Sequence, residues 1–478
     1  MPPVSGGASR PSSPEPAPNT PGASAGTVMP GICHPTWSGC HTLLVVEGAG
    51  VRGVQRSAPG SRATRLELFY DLIFVFAFLN VTTVTAGNPT VAGLIRCLVV
   101  LALLWWCWTG FAVLGNLVRT DQGIVPLVGF ATMAAAFVLA LSLPKAFTDR
   151  PGGLPGPLVF AAGYFLVRVG ETSIFLWLGR RDRGVRRRWR MLALPVVLAT
   201  SLIVVAALVP QRLFDGTAEG VFRLALWLAA LAVEYGAGLA LRGTGWTVLS
   251  AGHWAERHSQ IVLIALGEAI IALGFAPGGS AGLPLTWPAL IAAVLGIAVA
   301  AALWWAYFDT LALGMEQTLH RTRDPVARAA LARDAYTYLH LPVIAGVILF
   351  ALGLKGLIND EADVSTPNWG VPLPGFDLLA LYGGVALYLL ALIVLGRKML
   401  AAPRWPTIGG ILLLLVLVPV AGSLPELSAL TMLAVAAWLA VGAQTIVDAQ
   451  RRRGVREVAL AEQLAVEEDQ TRWRGHHL

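Results

Sequence analysis

Long apolar stretches dominate this sequence and restrict what it can fold into. About twelve of them approach the ~20 residues that a helix needs to cross a lipid bilayer. The composition agrees, because 56% of the 478 residues are hydrophobic and only 13% are charged. We therefore predict an all-α polytopic membrane protein with about twelve transmembrane helices. The predicted spans are residues 66–86, 91–114, 124–143, 157–179, 190–209, 220–241, 254–275, 287–308, 336–355, 375–396, 407–424 and 427–446.

The loops between these stretches carry clustered arginine and predict the orientation. If twelve spans are counted, the basic loops at 180–190, 321–333 and 397–404 all fall on the same side as both chain termini. Loops rich in Arg and Lys are retained in the cytoplasm, so both termini are predicted to be cytoplasmic. The acidic loop at 360–363 then lies outside. The formal charge of +7 is thus explained by topology and gives no indication of nucleic-acid binding.

Composition divides the chain into three parts. Residues 1–61 are rich in Pro, Gly, Ser and Ala and have no apolar periodicity. A disordered N-terminal extension without a signal peptide is therefore predicted there. The transmembrane domain is predicted at 62–447. The charged remainder, 448–478, is predicted to form a short helix in the cytoplasm or along the inner leaflet.

Similar motifs indicate an internal repeat within the membrane domain. The Trp-Trp pair at 105–106 has a counterpart at 304–305, and the Leu-Gly-Arg motif at 178–180 has one at 395–397. Because six spans separate the copies, both halves would have the same orientation in the membrane, which predicts a parallel repeat. The predicted halves are residues 62–245 and 246–447.

One acidic residue inside an apolar span is the leading functional candidate. In the seventh predicted span, the charged segment His253–His258 continues directly into an apolar helix that contains Glu268. A charge in lipid would cost roughly 2.5 to 3.5 kcal/mol, so Glu268 is expected to face protein or a water-filled cavity and to have a function. The helical repeat places His253 and Arg257 on the same face as Glu268.

The first predicted span carries two further carboxylates. Glu67 and Asp71 are four residues apart and share one helix face, where two like charges are unfavourable unless a cation or proton intervenes. We predict that Arg257 contacts one of them, with Glu268 beside the pair as the deepest acid and protonated near neutral pH. Two structural alternatives stay open. Glu67 and Asp71 can be the acidic first turn of a helix, and Glu268 can belong to a buried pair that only fixes helix register.

Other polar and aromatic residues are predicted at a similar depth, in the cytoplasmic half of the helical bundle. No metal site is predicted, because His253 and His258 differ by about 140° around a helix and the Cys-His pairs at 33–34 and 40–41 lack paired zinc-ligand spacing. His253 and Arg257 are assigned to a substrate pocket with further candidates. These are Tyr70, Arg168, Glu171, Glu234, Glu256, Trp305, Tyr307, Asp309 and His340.

Several of these motifs resemble those of a known family. The stretches Leu66–Leu72, His253–Arg257 and Ala265–Glu268 are similar to the hallmark sequences of the bacterial low temperature requirement A (LtrA) membrane proteins. Shorter matches occur at Trp305–Asp309 and Ala335–His340. The resemblance implies a multi-pass protein of the bacterial cytoplasmic (inner) membrane.

The resemblance extends over roughly residues 62–450 and departs from the family pattern at two places in the hallmark motifs. Tyr70 stands where the family commonly has Phe, and Ala269 where a small hydroxyl residue often follows the Glu. Neither departure removes an ionisable group. The resemblance implies little about activity, because the family is named for a growth requirement in the cold and has no settled biochemical function.

The sequence leaves three classes of function open. Carboxylates at membrane depth in a repeated architecture favour proton- or cation-coupled transport, with Glu268, Asp71 and Glu67 binding the proton or ion. The alternative is a membrane-embedded enzyme of the isomerase, cyclase or hydrolase type, with the same carboxyls as general acid and base on a lipophilic substrate. A structural or sensory membrane protein is the third class. Membrane lipids and a small or lipophilic substrate, or a proton or cation, are the expected partners, and no cofactor is predicted.

Overall fold

The secondary structure that the computed structural model describes is helical. The described residues are 57, 60–147, 152–178, 183–240, 247–274, 286–362 and 371–477. They contain no β-strand, and one isolated antiparallel bridge joins Pro372 to Pro425. The predicted N-terminal extension, 1–61, lies almost entirely outside the described residues.

The helices follow one another with short connections and are numbered in chain order. A 3₁₀ turn, Leu143–Lys145, extends the third helix, and a π-helical segment, Ala332–Tyr338, precedes the twelfth. The helices are α1 (Arg65–Ala86), α2 (Val91–Leu117), α3 (Val125–Ser142), α4 (Gly156–Leu178), α5 (Arg183–Leu208), α6 (Pro210–Leu213), α7 (Gly216–Ala240), α8 (Ala251–Gly274), α9 (Trp287–Phe308), α10 (Leu311–Arg321), α11 (Pro325–Leu331), α12 (His340–Ala362), α13 (Gly375–Leu400), α14 (Trp405–Ala421), α15 (Glu426–Val447) and α16 (Ala449–His477).

A helix lies at each of the twelve positions where the sequence predicted a span. Nine segments in the described part of the chain are long and apolar enough to cross a membrane. The other three positions hold α8 and two shorter apolar helices, Ala193–Leu208 within α5 and Trp405–Ala421. The chain is therefore an all-helical protein with several apolar helices of membrane-spanning length, and the count of twelve spans stays a prediction.

Two regions are more helical than the sequence indicated. The basic connection between the eighth and ninth predicted spans contains α10, α11 and the π-helical segment. Asp324 begins α11 by accepting the backbone N–H groups of Val326 and Ala327, and Pro325 occupies the first helical position, where its missing N–H is tolerated. The charged tail forms a helix, as predicted, but α16 has 29 residues and is not short.

Helix α12 lies in the interior and packs against α1, α8, α9 and α13. Its contact with α13 depends on glycine, because a Cβ atom on Gly346 would lie 2.7 Å from the backbone oxygen of Gly384. Small residues let two membrane helices approach at backbone distance, where dispersion contacts are most numerous. Helices α12 and α13 are thus closely packed, and α12 also contacts α1 and α8.

Helices α1 and α8 run parallel and in constant register. Three side-chain contacts along their length each join residues that are 186 positions apart. A constant separation requires both helices to run in the same direction, so their N-terminal ends lie together at one end of the α1–α8 interface. The parallel repeat predicted for the two halves requires this orientation of its first and seventh spans, but the repeat itself stays a prediction. The three contacts are Glu67–His253, Asp71–Arg257 and Thr82–Glu268.

Candidate functional site

Glu67 lies at the N-terminal end of the α1–α8 interface and is hydrogen-bonded through both carboxylate oxygens. The Thr64 hydroxyl caps α1 by accepting the Glu67 N–H at 3.3 Å and donates to Glu67 Oε1 at 3.0 Å, a variant of the capping box. Thr120 donates to the same oxygen at 2.8 Å, and His253 Nε2 lies 2.7 Å from Oε2. A Cβ atom on Gly115 of α2 would lie 2.7 Å from the carboxyl carbon. Glycine at this position therefore makes room for the carboxylate.

Arg257 joins both carboxylates of α1, which confirms the predicted contact. Its terminal nitrogens lie 2.5 and 2.9 Å from the two oxygens of Asp71, and its Nε lies 3.4 Å from Glu67 Oε2. Trp108 of α2 donates its indole N–H to Asp71 at 2.9 Å, and its ring centre is 5.5 Å from the guanidinium carbon. Paired donors and a neighbouring aromatic face suit a buried arginine. Glu67, Asp71, His253 and Arg257 are named the N-terminal cluster.

His253 has a polar neighbour at each ring nitrogen. The amide nitrogen of Asn116 lies 3.4 Å from His253 Nδ1, and His253 Nε2 lies 2.7 Å from Glu67 Oε2. Apart from this imidazole, the N-terminal cluster contains two carboxylates and one guanidinium, an excess of one negative charge. Because an uncompensated buried charge is costly, the cluster has the capacity to bind one proton between Glu67 and His253.

Glu268 lies at the opposite end of the interface, so the prediction that it sits beside Arg257 is wrong. Eleven residues separate the two positions, and the helix rises about 16 Å over that length. A shared helix face therefore did not mean a shared depth. The Thr82 hydroxyl donates to Glu268 Oε1 at 2.6 Å. Glu268 is fully buried, and its Oε2 has no hydrogen-bond partner among the residues that the structure describes.

Lys355 of α12 is a site residue that the sequence analysis missed. Its side chain is buried, its amine donates to Thr83 Oγ1 at 2.8 Å, and its charge acts on Glu268. The available signal was a lysine at the end of an apolar span, the same kind of signal that selected Glu268. A lysine at a predicted span end is ordinarily assigned to the lipid interface, where it can extend toward water. Glu268, Thr82 and Lys355 are named the C-terminal cluster.

The interface between the two clusters is largely apolar on the α1 side, where Phe74 and Phe78 are buried. On α8, Gln260 lies 186 positions after Phe74, and its side-chain oxygen is buried without a hydrogen-bond partner among the described residues. The eleven helical positions between the α1 residues of the two clusters correspond to about 16 Å along the helix. A proton or ion can pass through this section only if water enters or if the helices move apart, because apolar side chains offer no hydrogen bonds.

Arg168, Glu171 and Glu234 form a separate buried cluster, although they were predicted to join the same polar centre. Arg168 lies 3.2 Å from Glu234 and is also bonded to Glu171. Tyr164 and Trp106 donate to Glu234 at 2.6 and 2.7 Å. The physical reason for the separation is packing, because α2 contacts α4 and α7 and also α1 and α8, and so lies between the two clusters.

His340 and Tyr307 belong to a third polar group, between α9 and α12. The Tyr307 hydroxyl donates to His340 Nε2 at 2.8 Å, and the other ring nitrogen bonds to the backbone oxygen of Ala335 at 2.8 Å. The π-helical segment supplies that oxygen. His258 packs here, with its ring centre 5.3 Å from that of His340, and so points away from the α1–α8 interface as predicted.

Asp309 and Trp305 contact the C-terminal helix and neither cluster of the interface. Arg452 and Arg456 of α16 lie 2.9 and 2.6 Å from the Asp309 carboxylate. The Arg452 guanidinium also lies 5.6 Å from the centre of the Trp305 ring. Both predicted pocket residues thus anchor α16. The sequence could not reveal this, because the partners of Asp309 lie 143 and 147 positions later in the chain.

Glu256 and Tyr70 flank the N-terminal cluster. Glu256 accepts the backbone N–H of Ala63 at 3.0 Å, just before α1 begins. Tyr70 is fully buried and stacks on Phe111 with 3.8 Å between the ring centres. Its hydroxyl has no hydrogen-bond partner within the described chain. A substrate contact for either residue stays a prediction.

The single polar centre predicted for the cytoplasmic half of the bundle is therefore replaced by several separate polar groups. Within the described ranges, no three His, Cys, Asp or Glu residues are arranged to hold a metal ion. The Cys-His pairs at 33–34 and 40–41 lie outside those ranges. The α1–α8 interface remains as a site where buried ionisable residues from both predicted halves meet.

Most of the described chain matches a known protein family. A family model described as bacterial low temperature requirement A protein (LtrA) matches residues 62–442. A protein of Rhizobium meliloti (strain 1021), described as uncharacterized, is 26% identical over 345 residues, which are 68% of this chain and 76% of the relative. No solved structure matches the chain. The matched range of the family model contains both clusters of the α1–α8 interface.

Proposed function

The chain belongs to the bacterial low temperature requirement A (LtrA) family, and we propose that it is a membrane transporter that couples solute movement to protons. The observation that carries this proposal is the incomplete hydrogen bonding of Glu268, whose Oε2 has no partner in the described part of the chain although the residue is fully buried. A buried carboxyl with unused capacity is suited to gain and lose a proton.

Two states of the C-terminal cluster follow from its contacts. When Glu268 carries a proton it is neutral, and the Lys355 amine keeps its hydrogen bond to Thr83. When Glu268 is ionised, attraction to the Lys355 charge stabilises the carboxylate. Proton binding thus changes which groups interact across α1, α8 and α12. A proton can bias a conformational equilibrium only through such a difference between two states.

The N-terminal cluster supplies a second proton site in this proposal. Its excess negative charge favours one proton between Glu67 and His253, while Arg257 pairs with Asp71 and joins the two helices. One proton site therefore lies at each end of the interface. A group at each end of the interface can exchange a proton with the adjoining side of the membrane, although alternating access itself requires only one site that is exposed to each side in turn.

The apolar section between the clusters acts as the barrier of the proposed transporter. Phe74 and Phe78 fill the α1 side of this section, and their burial prevents a continuous hydrogen-bonded path for protons. We propose that movement of α1 relative to α8 opens this section. Coupling to the solute then requires that α1 moves relative to α8 only in certain states, such as when both proton and solute are bound or when both sites are empty.

The transport test uses purified protein in liposomes that enclose a pH-sensitive dye. Amino acids, sugars and organic cations are added outside in separate experiments, and movement of protons that depends on the added compound is recorded. We expect at least one of these classes of compound to cause protons to move across the liposome membrane. Glu268→Gln should reduce this movement to the level of empty liposomes, because an amide cannot exchange a proton.

Glu462→Gln is the matched control, because Glu462 is exposed on α16. This variant should retain wild-type proton movement. Unchanged movement in Glu268→Gln would contradict the assignment of the proton to that residue. Conversion of a lipophilic compound by detergent-solubilised protein, with no gradient present, would contradict transport and establish the membrane-embedded enzyme.

The proposal also includes a topology. Twelve spans in the bacterial cytoplasmic membrane, in two parallel halves, would place both termini and the N-terminal cluster at the cytoplasmic side. Reporter fusions after Arg323 and Arg453 should report the cytoplasm, and a fusion after Asp363 should report the outside. Two fusions on the wrong side would contradict the twelve-span arrangement.

A further inference from the structure

The cluster of Arg168, Glu171 and Glu234, named the Arg168 cluster, contains one more negative charge than positive charge. Both glutamates are 1% exposed, and Arg168 bonds to both of them. Two carboxylates therefore share one guanidinium away from water. A buried charge without a counterion is costly, so the Arg168 cluster has the capacity to bind one cation.

The elements packed around the Arg168 cluster supply no second cation among their described side chains. Helix α3 contains no titratable residue, and α5 contains none from residue 193 onward. Lys145 lies beside Gly156, at the opposite end of α4. The other titratable groups that interact electrostatically with the cluster carry a hydroxyl or a thiol, and they are Tyr70, Cys107, Tyr164 and Tyr235.

The two glutamates differ in their hydrogen bonds, which indicates where the cation binds. Glu234 accepts four hydrogen bonds, two at each oxygen. The donors are Tyr164, Trp106 and, twice, Arg168, at 2.6 to 3.3 Å. Glu171 accepts only from Arg168, at Oε2, and its Oε1 has no partner among the described residues. Because donors stabilise the ionised form of a carboxyl group, Glu234 keeps its charge and Glu171 takes up the cation.

The Glu171 carboxyl group is packed tightly against α2. A Cβ atom on Gly110 would lie 2.7 Å from the carboxyl carbon, so glycine makes room for the acid there. A bound metal ion needs several oxygen ligands around it, and this close packing brings only one carboxylate oxygen without a partner. A proton needs no cavity and is therefore the cation that fits.

Tyr70 of α1 approaches the same part of α2 from an adjoining face. Its ring stacks on Phe111, the residue after Gly110. The charges of Glu171 and Asp71 both act on its hydroxyl, which is buried and has no hydrogen-bond partner within the described ranges. Because a hydroxyl can donate and accept at once, it can join two acids directly or through a bridging water.

We infer that Glu171 binds a proton at neutral pH and that the Tyr70 hydroxyl connects this proton to the N-terminal cluster. The proton resides on the Glu171 carboxyl group and leaves Arg168 paired with one negative charge, that of Glu234. Tyr70 receives one proton and gives up another, so its own charge does not change. The inference does not rest on the proposed transport, because this proton binds without a solute and without movement of α1 relative to α8.

Infrared spectroscopy of the protein in lipid at neutral pH tests the proton on Glu171. The carbonyl stretch of protonated carboxyl groups is compared between wild-type protein and variants. We expect Glu171→Gln to remove one such band and Glu171→Asp to displace it. The band should remain in Glu268→Gln, which identifies it as separate from the proton of the proposed transporter. Glu462→Gln is the matched control, since Glu462 is exposed on α16, and should leave the band unchanged.

A second variant tests the charge balance of the Arg168 cluster. Glu234→Gln removes one of the two negative charges, so Arg168 alone balances Glu171 and the proton should be released. The Glu171 band should therefore disappear in this variant also. An unchanged set of bands in Glu171→Gln would overturn the inference, and so would an undisplaced band in Glu171→Asp if Glu171→Gln does not fold. Persistence of the band in Glu234→Gln would overturn the charge balance on which the inference depends.

The role of Tyr70 is tested by the rate at which the Glu171 proton exchanges with heavy water, followed as the isotopic shift of the same band. Tyr70→Phe removes only the hydroxyl and should slow this exchange about tenfold, the effect of losing one hydrogen-bonded connection. Tyr382→Phe is the control, because Tyr382 is also buried but donates to the backbone oxygen of Ala429. Equal exchange rates in Tyr70→Phe and wild-type protein would overturn the connection through Tyr70.

Discussion

The two ends of the α1–α8 interface both contain buried carboxyl groups but provide them with very different surroundings. At the N-terminal end, every carboxylate oxygen of Glu67 and Asp71 contacts a donor or a cation. At the C-terminal end, one oxygen of Glu268 contacts the Thr82 hydroxyl and the other has no partner in the described chain.

This difference separates the N-terminal acids, which hold the helices together even where they share a proton, from Glu268, which can change its protonation alone. A buried carboxylate with all its partners mainly fixes the position of two helices, because breaking the pair leaves an uncompensated charge. A buried carboxyl with unused hydrogen-bonding capacity can change its protonation without dismantling a network. We therefore expect substitutions at the N-terminal end to affect stability most, and substitutions at Glu268 to affect proton movement most.

Removal of Arg257 is expected to have the largest effect. Arg257→Leu leaves Asp71 buried without its cation, which costs ~3–5 kcal/mol, so the yield of folded protein should fall sharply. Adding Asp71→Asn should restore part of that yield by removing the orphaned charge. Yield is measured as monodisperse protein in fluorescence-detected size-exclusion chromatography.

The control for this substitution is Arg397→Leu, at an exposed position. Its yield should match that of wild-type protein. A yield of Arg257→Leu equal to that of the control would mean that the N-terminal cluster does not hold α1 and α8 together.

A pair of glycine-to-alanine substitutions tests the packing around the two clusters. The expected loss of stability is smaller than that in Arg257→Leu. Gly115→Ala would place a methyl group 2.7 Å from the Glu67 carboxyl carbon, whereas Gly267→Ala meets nothing within 4 Å. We expect Gly115→Ala to lose about 1–3 kcal/mol of stability by overpacking and Gly267→Ala to lose none. Melting temperatures in one detergent give the comparison, and equal values for both variants would refute it.

The smallest effect on stability is expected when the acid is replaced by its amide at Glu268. Glu268→Gln keeps an oxygen that accepts the Thr82 hydroxyl, so its free energy of unfolding should change by no more than about 1 kcal/mol. Asp71→Asn breaks the pair with Arg257 and should lower the melting temperature more. A larger loss in Glu268→Gln than in Asp71→Asn would reverse the assignment of structural and functional ends.

Most helix positions and the contact between Arg257 and the first span could be predicted from the sequence. Apolar length determines where helices cross lipid, and a buried arginine near two carboxylates has few alternatives to pairing with them. These inferences needed only local periodicity and the energy of a buried charge.

Other parts of the site could not be predicted, for identifiable reasons. The depth of Glu268 was misjudged because helical periodicity reports the face of a residue, while its height depends on the rise along the axis. The arginines of α16 that bind Asp309, and the indole of Trp108 that binds Asp71, come from other helices. Their contacts depend on tertiary packing, which leaves no local pattern in a single sequence.

Infrared difference spectroscopy can follow the proton that we propose Glu268 exchanges. Spectra of the protein in lipid are recorded between acidic and alkaline buffer, and the carbonyl stretch of a protonated carboxyl group is followed. We expect a band in wild-type protein and in Glu462→Gln that disappears on alkalinisation and is absent from Glu268→Gln. A wild-type spectrum without that band, or the same band in Glu268→Gln, would mean that Glu268 does not exchange the proton.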